Sequence, residues 1–249
     1  VLKNEAFREQ DAWVTLYGRE FGKLVAVARG GRAAKAKQLG HLEPLSTVQV
    51  MIAKGQAFDK LAVARATRST HSIRASLPAL TVISAFTDLV AQATHPQAPD
   101  EQIFYLLEAL LLQLEQTPST ISAERATLLY ASAVLHLLNL LGYASQLDRC
   151  TVCHVALDER AWVVGVAGGL VCDACLQKEP SWRERAQLLQ PDHKKLLLFL
   201  QKVSFGEVLK ISAPVEYFQS VIRAVEELSL VLPLRKKPHG FITIPGVVG

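Results

Sequence analysis

The sequence predicts an α+β chain, a small five-stranded β-barrel over residues 1–74 followed by a mostly α-helical domain over residues 75–249. Three observations carry this. Short strand-like segments alternate with turn residues before residue 75, a helical hydrophobic period sets in after it, and all four cysteines fall in the second part as two close pairs. Half of the 249 residues are apolar, enough for a sizeable buried core. No apolar run approaches the roughly 18–20 residues that span a bilayer. The richest stretch, Leu106 to Leu114, is broken by Glu108 and Gln113.

The strands are read in order from β-branched and aromatic runs that end in turn chemistry. Trp13 to Tyr17 stops at Gly18, Lys23 to Ala28 at Gly30-Gly31, and Ser46 to Ile52 before Gly55, and Leu61 to Thr70 follows. Val1 to Lys3 reads as the remnant of a fifth strand, so a short N-terminal piece is expected to precede it. Five short strands in this span fit a small, closed or partly open barrel. The OB-fold is the member of that class that binds oligonucleotides, and an SH3-like barrel reads similarly.

Beyond residue 75 the apolar stripes follow a helical period: Ile103, Leu107, Leu110 and Leu114, then Leu128, Leu135 and Leu138, then Phe218, Val221, Ile222, Val225 and Leu228. Helix starts are expected at Ser72, at Pro99-Asp100, at Ser122 with a capping-box pattern, at Pro180-Ser181 and after Pro214. The tail from Leu232, with Pro233, Pro238, Gly240, Pro245 and Gly246, reads as irregular.

Charge is unevenly placed. The formal net charge is +4, yet residues 1–74 carry 13 Lys plus Arg against 6 Asp plus Glu, while the remainder carries 14 against 17. Between Glu20 and Glu43 there is no acidic residue, and Lys23, Arg29, Arg32, Lys35 and Lys37 lie among small Gly and Ala residues. Cations so concentrated suit a polyanion, because each one near a phosphate releases condensed counterions. The competing reading is an ordinary solvated face, although mixed-sign charge serves solubility better.

Two residues separate Cys150 from Cys153 and Cys172 from Cys175, and 18 residues lie between the pairs. That is the spacing of a four-thiolate zinc site, here within a zinc-ribbon-like insertion at about 148–178. Val163, Val164, Gly165, Gly168, Gly169 and Val171 suggest a hairpin between the pairs. Four protein ligands leave no open coordination position, so the metal would be structural. Two disulfides and dithiol redox chemistry compete with this reading. So does c-type haem attachment, because Cys150-Thr-Val-Cys153-His154 spells that pattern, although haem leaves the second pair unexplained. Phosphate-binding, metalloprotease, nucleophile-elbow and dinucleotide motifs are missing, and His136 lies on an otherwise apolar helix as a core histidine would.

The stretch Gly22-Lys-Leu-Val-Ala-Val-Ala-Arg-Gly-Gly-Arg32, a basic loop, and Leu39-Gly-His-Leu-Glu-Pro-Leu45 resemble the RecO family of recombination mediators. Leu140-Leu-Gly-Tyr143, Leu147, the four cysteines and Gly168-Gly169 are similar to the central region of its zinc-bearing members, so the resemblance covers residues 1 to 178. Leu45 stands where the family commonly has an aromatic residue, which weakens any stacking at that position.

The resemblance implies an OB-fold, a helical domain, a structural zinc ion and no catalysis. It also implies a cytoplasmic protein without a membrane anchor that binds single- and double-stranded DNA and anneals complementary strands. With RecR, such a protein helps RecA replace the single-strand-binding protein, whose acidic C-terminal tail it contacts. On this reading Lys23, Arg29, Arg32, Lys35 and Lys37 contact phosphates, with Arg65, Arg68 and Arg74 as further candidates. Phe7, Trp13, Tyr17 or Phe21 would stack on bases where exposed. Two other functions fit the residues: a protein-recognition scaffold that uses the basic cluster Arg235, Lys236 and Lys237, and a zinc-ribbon transcription or RNA-binding factor.

Overall fold

The computed structural model describes residues 1–30, 39–68, 70–117, 121–157 and 160–234. Arg32, Lys35 and Lys37, the cluster Arg235 to Lys237 and the tail beyond it lie outside the described residues. The chain forms two compact units, Val1–Ser119 and Thr120–Gly249.

The first unit begins with β1 (Lys3–Phe7), β2 (Asp11–Gly18), β3 (Gly22–Ala28), β4 (Thr47–Ala53) and β5 (Lys60–Arg68), in the sheet order β1-β2-β3-β5-β4. Neighbours are antiparallel except β3 and β5, which meet in parallel at Val27 and Lys60. This is the expected OB-type sheet. The first strand differs in position: it runs through Lys3–Phe7 and does not stop at Lys3, with Glu5 opposite Trp13. Its residues are half-buried or exposed, so it lacks the apolar alternation by which a strand is read.

Alternation along β2 sends Ala12, Val14 and Leu16 to the interior, where they meet Ala26, Ala28, Leu42, Leu61 and Ala64. The alanines suit a narrow barrel, and each fully buried Val or Leu contributes about 1.5–3 kcal/mol. Trp13, Thr15 and Tyr17 consequently lie on the outer face.

Three helices complete this unit: α1 (His71–Arg74), α2 (Leu77–Ala93) and α3 (Glu101–Gln116). Asp100 caps α3 as the sequence predicts, accepting from the N–H groups of Gln102 (2.8 Å) and Ile103 (3.3 Å). Ile103, Leu107, Leu110 and Leu114 are all buried. The start expected at Ser72 is only the single turn α1, and the long helix begins after Ser76, whose hydroxyl caps the N–H of Ala79.

The second unit is built on α4 (Ala123–Leu140), which buries Leu128, Leu135 and Leu138 among others and packs on α8 (Val215–Ser229). Ser122 caps α4 through the Arg125 N–H. Between these helices in sequence lie β6 (Ala161–Val164), β7 (Gly169–Val171), α5 (Asp173–Lys178), β8 (Gln187–Leu189), α6 (Pro191–Leu200) and α7 (Phe205–Val208). The helix expected at Pro180 is one 3-10 turn, Pro180–Trp182. The expected hairpin is present as β6 and β7, and β8 joins it in the order β7-β6-β8. No described helix is long and apolar enough to cross a membrane.

Candidate nucleic-acid interface and metal centre

The four cysteines converge. Cys150 precedes a tight knuckle in which the His154 N–H returns to the Cys150 carbonyl and the Cys150 N–H donates to Val155, both at 2.9 Å. Cys172 sits at the N-cap of α5 with Cys175 one turn on, so both sulfurs fall on one side of that helix. All four sulfurs lie within 4.8 Å of one another, and Cys153 and Cys172 are 3.7 Å apart. Cys150 and Cys175 are buried, Cys172 is half-buried and Cys153 exposed. His154 is exposed, at a φ of 60°, beside the knuckle.

The electrostatics of the cluster call for a cation. Burial opposes ionisation of Cys150, but the backbone N–H groups of Cys153, Cys172 and Val152, together with the Cys153 thiol, outweigh it and hold the Cys150 thiol down at about 6. Cys175 is pushed up, by burial first and then by the neighbouring sulfurs. Thiolates this close cannot all ionise unaided, and a bound metal ion removes that conflict. The arrangement can hold one ion with all four sulfurs, as two separated disulfides or a lone haem attachment could not.

The cations of the first unit divide into two groups. Lys23 is half-buried, and its ammonium donates to the carbonyls of Ala91 (2.7 Å) and Thr94 at the end of α2. Arg68 lies between Glu108 (3.8 Å) and Glu115 (3.7 Å), and burial pushes the Glu115 carboxyl up against the opposing pull of Arg68. Arg74 pairs with Glu43 at 3.0 Å and donates to the Pro44 carbonyl at 2.9 Å. Lys23 and Arg68 thus join the barrel to α2 and α3, and Arg74 of α1 joins the Glu43–Pro44 segment. Arg29 and Arg65 are exposed, and among the described residues no carboxylate pairs with either.

Arg29 has neighbours the sequence reading did not single out. It lines a small cleft with Phe7, Arg8, Asp11, Val27, Phe58 and Lys60, which joins the β1–β2 turn to the β4–β5 loop. Arg8, Arg29 and Lys60 are exposed there. The Arg8 guanidinium carbon stands 5.0 Å from the Phe7 ring centre, and Asp11 accepts from the Gly30 N–H at 2.9 Å. Phe7 is half-buried in this cleft, and half-buried Trp13 packs against it. By contrast, Tyr17 is buried with its hydroxyl on the Asp100 carbonyl (3.3 Å), whereas Phe21, packed over Gly18, is exposed. Arg8 and Lys60 were legible only as isolated charges, because the sheet order that brings residues 8, 29 and 60 together is not a local property of the sequence.

An OB-type barrel followed by a helical unit with a metal-competent four-thiol centre defines the class. The family model for the N-terminal region of recombination protein O matches residues 1–70, and the model for its C-terminal region matches residues 74–230. The chain belongs to the RecO family. It is 34% identical over 180 residues to the DNA repair protein RecO of Syntrophus aciditrophicus, an overlap of 70% of this chain and 67% of that one. It is 26% identical over 214 residues to that of Caldanaerobacter subterraneus (86% and 83%), and 29% identical over 231 residues to that of Desulfitobacterium hafniense (88% and 81%).

Proposed function

We propose that the chain is a non-catalytic recombination mediator of DNA repair that binds single- and double-stranded DNA through residues 1–74 and promotes annealing of complementary strands. The observation that carries this is the exposed cationic cleft of Arg8, Arg29 and Lys60. It lies between the β1–β2 and β4–β5 loops, the region where OB barrels take oligonucleotides. Arg65 extends the positive surface along β5, and Arg32, Lys35 and Lys37 would add to it. Lys23, Arg68 and Arg74 are left out of this footprint because their donors serve the barrel.

The mechanism is electrostatic. Two strands brought together repel through their phosphates, and cations fixed along the barrel lower that repulsion while the released counterions drive binding. In this reading the protein works in the cytoplasm with RecR and RecA on DNA coated by single-strand-binding protein, whose acidic tail it contacts. The metal is zinc, held by Cys150, Cys153, Cys172 and Cys175. It supplies a fixed cross-link for the 148–178 module and takes no part in a reaction.

The test is annealing of complementary oligonucleotides, followed by fluorescence, at low and raised salt. The reading requires acceleration over the spontaneous rate, lost as salt rises. No acceleration at low salt contradicts it.

A further inference from the structure

We propose that Phe7, Trp13 and Phe58 form a subsite for an unpaired nucleobase, with Phe58 as the ring on which the base stacks, so that this end of the barrel tells single strands from duplex. The inference rests on the DNA-binding reading above and refines it.

The three rings are not equivalent. Phe7 covers Trp13 at a centroid distance of 4.6 Å, and Phe58 meets Trp13 edge-on at 5.1 Å and 82°. Phe58 also meets Phe7 edge-on, at 6.1 Å and 72°. Phe7 and Trp13, in contact with each other, thus both pack on one side of Phe58, which stays 44% exposed although it is a large apolar ring in a loop. Neighbours confined to one side leave the ring's other side open, and an open face is what a base stacks on.

The loop that carries Phe58 is set in place before any ligand arrives. Asp59 accepts from the Lys54 ammonium at 2.8 Å and from the Gly55 N–H at 3.4 Å, and its carbonyl accepts from the Val27 N–H of β3 at 2.9 Å. Any side chain at Gly55 would put its Cβ 2.1 Å from the Phe58 carbonyl oxygen, so the tight loop requires glycine. A ring fixed in this way loses little freedom when it is stacked upon.

The cleft beside the rings holds only about 30 Å³, too little to enclose a base, so stacking on the exposed ring is the mode that fits. Arg8, Arg29 and Lys60 around it are placed for the phosphates on either side of that base. Duplex DNA presents the same phosphates to these cations, but its bases are already stacked on one another. Its affinity therefore depends on the cations alone.

The experiment measures affinity of the whole chain for an oligothymidine strand and for a duplex of equal length at one fixed salt. Phe58→Ala and Phe58→Leu, the second keeping apolar bulk without a π face, should each weaken single-strand binding roughly tenfold. Duplex affinity should stay unchanged, and Phe58→Tyr should retain wild-type behaviour. Unchanged single-strand affinity in the Ala and Leu variants overturns the subsite, as does an equal loss on duplex. If the wild-type chain binds neither DNA, the DNA-binding reading itself falls and the subsite with it.

Discussion

Lys23 on β3 donates its ammonium to the Ala91 carbonyl in the last turn of α2, at 2.7 Å, and also reaches the Thr94 carbonyl just beyond it. A cation there satisfies carbonyls that have no partner within the helix and faces the negative end of its dipole. The same β3 residue accepts the Gln97 N–H at 2.9 Å, and Gly22, at a φ of 65°, lies too close to the Ala98 carbonyl to carry a side chain. Lys23 thus fixes the segment after α2 to the barrel.

From this follows a separation of roles within one basic stretch. Lys23→Met should lower the stability of the protein by about 1–3 kcal/mol in urea unfolding, because two helix-end carbonyls lose a charged donor. Its DNA affinity at fixed salt should change little. A variant of unaltered stability with weakened DNA binding would return Lys23 to the phosphate footprint.

The metal centre makes an independent prediction. Reduced protein should carry about one zinc ion per chain by plasma mass spectrometry, and Cys150→Ser or chelation should remove it. Loss of the ion should destabilise the protein by at least about 3 kcal/mol, seen as earlier thermal unfolding. After chelation, exposed Cys153 should react with an alkylating reagent before buried Cys150 and Cys175. Protein without zinc and with unchanged unfolding after chelation would contradict the site.

Glu226 on α8 gives the stability a pH dependence. Burial pushes its carboxyl up from 4.5 to about 7, against the opposing pull of Arg223. The folded state therefore holds a proton that the unfolded state releases, and stability falls as pH rises from about 4.5 to about 7. Glu226→Gln, which mimics the neutral acid, should gain about 1 kcal/mol at pH 8, solvent screening of the half-buried carboxyl keeping the effect small, and show little gain below pH 4.5. Equal effects at both pH values would show that the carboxyl is not the cause.

Much of this architecture was legible because it is written in local rules. The strands from Trp13 to Arg68 announce themselves by β-branched and aromatic runs, the first three closed off by glycine; Asp100 and Ser122 do so by their position before helical stripes, and the thiol centre by its spacing. What escaped depends on distant partners. The first strand is polar and is held by its pairing with β2, and β8 is three residues recruited by β6. Lys23, Arg68 and Arg74 carry the same charge as Arg29 and Arg65, and only the packing of α2, α3 and the Glu43 segment shows which of them are internally engaged. Phe58 escaped for the same reason, since nothing near it in sequence reveals that Phe7 and Trp13 stand beside it.

The most direct test of the central claim is the salt dependence of single-strand affinity, measured for the wild-type chain and for the combined variant Arg8→Ala, Arg29→Ala, Lys60→Ala. Each phosphate contact removed should reduce the slope of log affinity against log salt by roughly 0.7, so the variant should bind more weakly at low salt with a slope shallower by about 2. An unchanged slope and affinity in a variant that unfolds like the wild type would contradict the assignment of this cleft to DNA.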